Sequence, residues 1–225
     1  MTFSIVGRCQ KTGQLGIAIS SSSIAVGARC PWVRARVGAV ATQNVTLPAL
    51  GPKVLDLLET DHLEPSAALN RVLVGNEWSE YRQVTVIDSQ GRTAFFSGKE
   101  SLGTYHAVAG AQCVSAGNML AGTHVIDAMV SAFESASGML ADRLLAAMMA
   151  AMAAGGEAGP VHSAAMTVVG EVMWPIVDLR IDWADRDPIG QLHGLWQAYR
   201  PQAQDYLTRA LNPSTAPSYG VPGDE

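Results

Sequence analysis

Apolar and polar positions along this chain form short β-type runs at both ends and longer helical repeats in the middle. The first run, Phe3 to Cys9, is followed by Leu15 to Ser20 across a Gln10-Lys11-Thr12-Gly13 turn. A glycine-containing turn between two short apolar runs predicts a hairpin. Val37 to Thr42, small and β-branched, predicts a third strand, and Pro48, Gly51 and Pro52 then punctuate the chain. Helical spacing follows at Val54, Leu55, Leu57 and Leu58, and Pro65 suits the first turn of a second short helix ending near Leu73. A second hairpin is predicted from Gln83 to Ile87 and Thr93 to Ser97, joined by Asp88-Ser89-Gln90-Gly91.

Two further strands are expected near Tyr105 to Ala109 and Cys113 to Ala116. The helical repeats then come as a pair. One runs from about Thr123 to Ala136, with Val125, Ile126, Met129, Val130 and Phe133 at helical spacing. The other runs from about Met139 to Ala154 and stops at Gly155-Gly156; Met148, Met149 and Met152 read as core filler. Strands resume at Ala164 to Val169 and Ile176 to Ile181. A helix follows from Ile189 to Tyr199, then a shorter one before Leu211. Strand pairs, then helices, then strands again fit neither an alternating βαβ order nor an all-β sandwich. The order predicts an α+β fold in which two antiparallel sheets pack together with helices on their outer faces. No linker interrupts residues 1–211, so one domain is expected. The Pro/Ser/Gly-rich tail, 212–225, is expected to be disordered.

Composition narrows the function classes. The chain has 225 residues, enough for a full core. Its net charge is -5, and its densest basic stretch, Arg29, Arg34 and Arg36, is interleaved only with Trp32. Nucleic-acid binding needs a broader basic footprint. The apolar stretch Leu144 to Ala154 is too short to span a bilayer, and the amino end lacks a signal-peptide pattern. Cys9, Cys30 and Cys113 are odd in number and widely spaced, which suits buried thiols in a reducing compartment better than disulfides or zinc. A cytoplasmic protein is expected, acting on a small molecule, without nucleic-acid or membrane partners. A homodimer is the assembly to test, and no metal or cofactor is called for.

Thr2 is the first candidate for chemistry. A small second residue permits removal of Met1, leaving a hydroxyl and a free α-amine on one residue. An α-amine titrates near 7.7–8.0, so it can take the hydroxyl proton as attack occurs. The serines from Ser20 to Ser23 form either a polar wall or a solvated strand end, and no G-x-S-x-G elbow surrounds them. Arg34 and Arg36 are candidate anion holders. Asn118, between glycine and a helix, suits either a helix cap or an oxyanion donor. The five histidines show no helical metal-pair spacing, and His106 lies nearest an apolar strand.

Several stretches resemble a known family. They are Thr2-Phe3-Ser4-Ile5-Val6, Gly13 through Ser22, Ala25-Val26-Gly27-Ala28 with Pro31-Trp32, Gly38 through Gln43, Gly117 through Gly122, Ser163-Ala164-Ala165 and Val177-Asp178-Leu179-Arg180. Together they resemble the Ntn-hydrolase-like family known as domain of unknown function 1028. The resemblance implies a four-layer αββα sandwich in which the residue opening the first strand attacks a carbonyl and its own amine acts as base. Thr2 matches that position. By the same likeness Ser20 falls where proteasome-like members close the second strand with an acid, and Gln43 follows the third strand, near oxyanion donors. Those members carry a lysine near the third strand. Here no lysine lies between Lys11 and Lys53, and Arg34 or Arg36 is the nearest cation. The expected activity is hydrolysis of a C–N bond, amide, ureide or imine, in a small nitrogenous metabolite. The rival is a binding or assembly module that retains the fold without catalysis.

Overall fold

The computed structural model describes residues 1–224. The amino-terminal hairpin forms as its pattern predicts, from β1 (Thr2–Arg8) and β2 (Leu15–Ser21). Gly13 turns the chain at φ 71°, a left-handed conformation that glycine adopts without a Cβ penalty, and its N–H donates to the Cys9 carbonyl. The Arg34 region is itself a strand, β3 (Pro31–Arg34), of four half-buried residues. Such a short piece offers too little alternation to register as a strand pattern. It pairs with β4 (Gly38–Asn44), which carries the chain into α1 (Leu50–Glu59) and α2 (Pro65–Leu73). The second hairpin, β5 (Arg82–Asp88) and β6 (Thr93–Ser97), turns on the Asp88 carboxylate. One of its oxygens accepts from the Gln90 and Arg92 amides, and the other from the Arg92 guanidinium.

β7 (His106–Gly110) and β8 (Cys113–Asn118) lead to α3 (His124–Ser135) and α4 (Leu140–Ala153). β9 (Ser163–Val169), β10 (Pro175–Ile181), α5 (Pro188–Tyr199) and α6 (Ala203–Leu211) follow. The strands form two antiparallel sheets, one of six in the order β10-β9-β2-β1-β8-β7 and one of four in the order β3-β4-β5-β6. Among the described residues no helix is long and apolar enough to cross a membrane.

Period-two alternation divides the larger sheet into two faces. Phe3 and Ile5 of β1, Ala18 of β2 and Met166 of β9 join Val125, Ile126, Met129 and Phe133 of α3 and Leu144 and Met148 of α4 in one apolar cluster. Val6, Leu15, Ile17, Val114 and Val169 point the other way and meet Ala39, Ala41 and Ile87 of the smaller sheet. α1 and α2 cover that sheet's far side through Val54, Leu55 and Leu69 against Val40, Val84 and Val86. The methionines of α4 divide with its faces. Met148 is buried, whereas Met149 and Met152 lie on the outer side, contrary to their reading as core filler. Beyond α6, the Arg209 guanidinium stacks on Tyr219 and donates to the Pro217 and Ser218 carbonyls.

Close approach of α3 and α4 to the sheet depends on two glycines that face each other across β1 and β2, Gly7 and Gly16. A Cβ on Gly7 would lie 2.6 Å from the Phe133 ring, and one on Gly16 would lie 2.9 Å from Leu144. Gly7→Ala therefore overpacks the core. It should cost about 1–3 kcal/mol and lower the melting temperature by roughly 2–10 °C in a calorimetric or circular-dichroism melt. An unchanged melt would mean that the helix layer yields freely at Phe133.

Candidate functional site

The strand registers bring polar side chains together at one end of the inter-sheet space. Thr2 stands opposite Ser21 of β2 on one side and Asn118 of β8 on the other, and Ser21 stands opposite Ser163 of β9. Directly opposed residues share a face, so Ser163, Ser21, Thr2 and Asn118 form one row across four strands. The smaller sheet answers with a second row, Gln43 opposite Gln83 and Gln83 opposite Ser97.

Amide hydrogen bonds join the rows. Gln83 Oε1 accepts from Gln43 Nε2 at 2.8 Å and from Asn118 Nδ2 at 3.1 Å. Gln83 Nε2 donates to Ser97 Oγ and to the Gly117 carbonyl. Gln43 Nε2 also donates to the Ala116 carbonyl, while its Oε1 accepts from Ser4 Oγ at 2.7 Å. All these amides are buried, and their mutual bonds offset the desolvation each would otherwise suffer. Asn118 Oδ1 alone among their polar atoms is buried without a partner.

Thr2 is 6% exposed. Its Oγ1 donates to the Met1 carbonyl at 2.5 Å, and Ser21 Oγ donates to the same carbonyl at 2.5 Å. The two hydroxyl oxygens lie 3.2 Å apart, and the Ser23 amide donates to Ser21 Oγ. An acyl oxygen attached directly before Thr2 is thus held by a pair of hydroxyl donors at the head of β1.

The other sequence candidates divide. Asn118 ends β8 and caps no helix; its amide braces the row instead. Gln43 lies within β4, its side chain bridging the sheets. Ser20 stands opposite Phe3, on the helix-facing side of the sheet, and donates to the Ser163 carbonyl. Ser21, one residue on, occupies the face of Thr2. Four consecutive serines conceal that phase, because every position in the run is polar. Arg34 is paired with Gly38, five residues along β4 from Gln43, or about 17 Å at ~3.4 Å per residue. There it forms ion pairs with Asp56 at 2.8 Å and Glu59 at 2.6 Å, so it belongs to the β3–α1 surface and not to the Thr2 row. His106 Nε2 is 3.7 Å from Asp127 Oδ1 on the surface, a loose pair far weaker than a catalytic contact.

Two residues that the sequence reading passed over stand out. Gln83 reads only as the start of a strand, yet its carboxamide joins four partners. Glu157 follows Gly155-Gly156, where a loop is expected, and it is 5% exposed with neither carboxyl oxygen hydrogen-bonded. It forms a β-bridge with Leu120, and the next residue's amide, Ala158, donates to the Met119 carbonyl. This hooks the loop over the Thr2–Asn118 end of the sheet. Burial pushes the Glu157 carboxyl from an ordinary 4.5 up to about 8; the Met1 ammonium opposes that rise, as do the Ser22 amide and hydroxyl, which lie close by but fall short of hydrogen-bond geometry. Its signal in the sequence is a single acid within an Ala/Gly-rich stretch.

The remaining chemistry is muted. Burial pushes the Cys30 thiol up to about 11 and the Cys113 thiol up to about 12, away from thiolate reactivity. Among the described residues no three His, Cys, Asp or Glu side chains converge as a metal ion would require. Surface clefts of about 590 and 570 Å³ lie elsewhere, one beside Arg36, His62 and Asp88 and the other between α1 and α2.

A model of a family of unknown function, DUF1028, matches residues 2–192. A crystal structure of a DUF1028 protein from Silicibacter pomeroyi is similar to this chain, with 34% identity, 88% of each chain covered and a TM-score of 0.82. Anbu, an ancestral beta-subunit, from Yersinia bercovieri gives a TM-score of 0.43 at 12% identity, covering 89% of this chain and 95% of its own. An Anbu mutant from Hyphomicrobium sp. strain MC1 gives 0.41 at 12% identity, covering 92% and 98%. No curated protein matches the chain.

The raised Glu157 carboxyl has a consequence for stability. The unfolded chain releases this proton near pH 4.5, whereas the folded protein keeps it to about pH 8. Across that window the folded state binds more protons, so stability falls as pH rises, by a few kcal/mol in total. Urea unfolding between pH 5 and pH 8 should show this decline, and Glu157→Gln should flatten it. Parallel pH dependences in the two proteins would mean that Glu157 ionises normally.

Proposed function

The chain belongs to the DUF1028 family, and we propose that it is an N-terminal-nucleophile hydrolase that cleaves a C–N bond in a small nitrogenous metabolite. On this reading the two sheets and their covering helices form the four-layer αββα sandwich of such hydrolases, with Thr2 the nucleophile. The observation that carries the proposal is the paired donation of the Thr2 and Ser21 hydroxyls to the Met1 carbonyl. A donor beside an acyl oxygen can stabilise the negative charge that develops there during acyl transfer.

Removal of Met1 frees the Thr2 α-amine. That amine accepts the hydroxyl proton as Thr2 Oγ1 attacks the substrate's carbonyl carbon, and Ser21 Oγ donates to the resulting oxyanion. The C–N bond breaks as the proton passes to the departing nitrogen, leaving an ester on Thr2. Water, deprotonated by the same amine, cleaves the ester, releases the acid and restores the hydroxyl. The buried amide rows hold Thr2 and Asn118 in register without entering the chemistry. The carbonyl-holding hydroxyl pair favours acyl transfer, through an amide or ureide, over hydrolysis of an imine. The same pair supports this reading over that of a binding or assembly module, for which hydroxyls converging beside Thr2 would serve no chemical end.

Intact mass should show a chain that begins at Thr2, and a retained Met1 overturns the mechanism. In a screen of small amides and ureides, Thr2→Ala should abolish turnover and Ser21→Ala should lower kcat about 10²-fold, the scale of one lost oxyanion donor. Ser20→Ala, altered on the opposite face, should stay within about twofold of the parent. Unchanged turnover in Thr2→Ala would exclude Thr2 as nucleophile.

A further inference from the structure

The residue preceding Thr2 indicates what the site is shaped to hold. Met1 is chemically an α-amino acyl group joined to Thr2. Its carbonyl oxygen accepts from Thr2 Oγ1 and Ser21 Oγ. Its thioether end lies over Gly159, where a Cβ would come within 2.9 Å of Met1 Cε. Its ammonium lies beyond ion-pair distance of Glu157 but close enough to act on that carboxyl through space. Glu157 is buried with neither oxygen hydrogen-bonded, a state it meets by keeping its proton and one that an incoming cation would relieve in its ionised form. Side-chain hydroxyl donors at the Met1 carbonyl and a buried acid that feels the Met1 ammonium form two ends of a single subsite.

From this geometry we infer that the substrate is a small α-amino acyl amide, whose scissile carbonyl occupies the place of the Met1 carbonyl and whose ammonium pairs with Glu157. The inference rests on the reading of Thr2 as nucleophile and specifies the substrate class for it. Excision of Met1 then does two things at once. It exposes the α-amine that serves as base, and it vacates the space bounded by Ser21, Ser22, Glu157 and Gly159 that receives the substrate's aminoacyl part. Entry of the ammonium displaces the Glu157 proton to solvent, and the resulting ion pair sets the carbonyl against Thr2 Oγ1. Bond making and breaking follow the acyl transfer described above, with an amino acid and the departing amine as products. Gly159 makes room for the acyl side chain, since a Cβ there would intrude on whatever replaces Met1.

The test uses the full-length protein lacking Met1, with the p-nitrophenyl esters of alanine and of propionate as probes. Acylation of Thr2 is followed by quenched mass spectrometry with peptide mapping. Each rate is divided by that of the same ester with threoninamide, to remove intrinsic reactivity. The parent protein should favour alanyl over propionyl by about tenfold or more, the worth of one charge-assisted contact. In Glu157→Gln that preference should disappear while the propionyl rate persists, and Glu157→Asp should retain part of it. Equal corrected rates in the parent protein would overturn the inference and leave Thr2 as nucleophile. Equal loss of both rates in Glu157→Gln would assign the carboxyl to the Thr2 amine and also overturn it. If neither ester labels Thr2 in the parent, the nucleophile reading itself fails. The comparison within the parent protein decides the amine preference even if Glu157→Gln does not fold.

Discussion

The geometry at the head of β1 depends on one buried acceptor, the carboxamide oxygen of Gln83. It accepts one hydrogen bond from within the smaller sheet, donated by Gln43, and another from the larger sheet, donated by Asn118. Apolar faces such as Val6, Ile17 and Ala41 can slide against one another with modest loss, because dispersion and burial are non-directional. Hydrogen bonds between buried amides have no such tolerance, since a shift of an ångström or two leaves donors unsatisfied in a medium without water. The inter-sheet space therefore has two regimes. One end is greasy and supplies cohesion, and the other is polar and sets alignment. Thr2 lies at the polar end, where its position relative to Ser21 and Asn118 is most tightly defined.

That division explains how much was legible in the sequence. Elements with strong periodicity or turn chemistry were readable: the two hairpins, the α3 stripe from Val125 to Phe133, and the mixed order of strands and helices. The Thr2 position was readable as well, because it needs only the start of a strand. The partners of Thr2 were not. Whether Ser20 or Ser21 shares its face depends on a one-residue phase, and period two carries no phase information through a run of serines. Gln83 became visible only when Gln43 faced it across the β4–β5 ladder and Asn118 approached from the other sheet. Arg34 misled for the opposite reason. An arginine on a short strand looks available until α1 presents Asp56 and Glu59 to it, and helix packing is a tertiary fact.

Glu157 shows a further limit of local reading. An acid after two glycines has every local mark of an exposed loop residue. Its burial follows from the loop's bond to Met119 and its bridge to Leu120, both far away in sequence. Residues of this kind are found by asking which buried polar atoms lack partners, because an unsatisfied group in a native fold implies a compensating cause.

The position of β1 also bears on how the protein should be handled. Thr2 lies between two strands at the rim of the larger sheet, and the carbonyl just before it is gripped by hydroxyls from both β1 and β2. An affinity tag fused at the amino end would have to start beside Gly159, against which the Met1 thioether already lies. It would also keep Thr2 in a peptide bond throughout purification. The carboxyl end, exposed along residues 212–224 except at half-buried Ala216, is the place for a handle. If Thr2 is the nucleophile, a preparation tagged at the amino end and found inert would report on its vector and not on its chemistry.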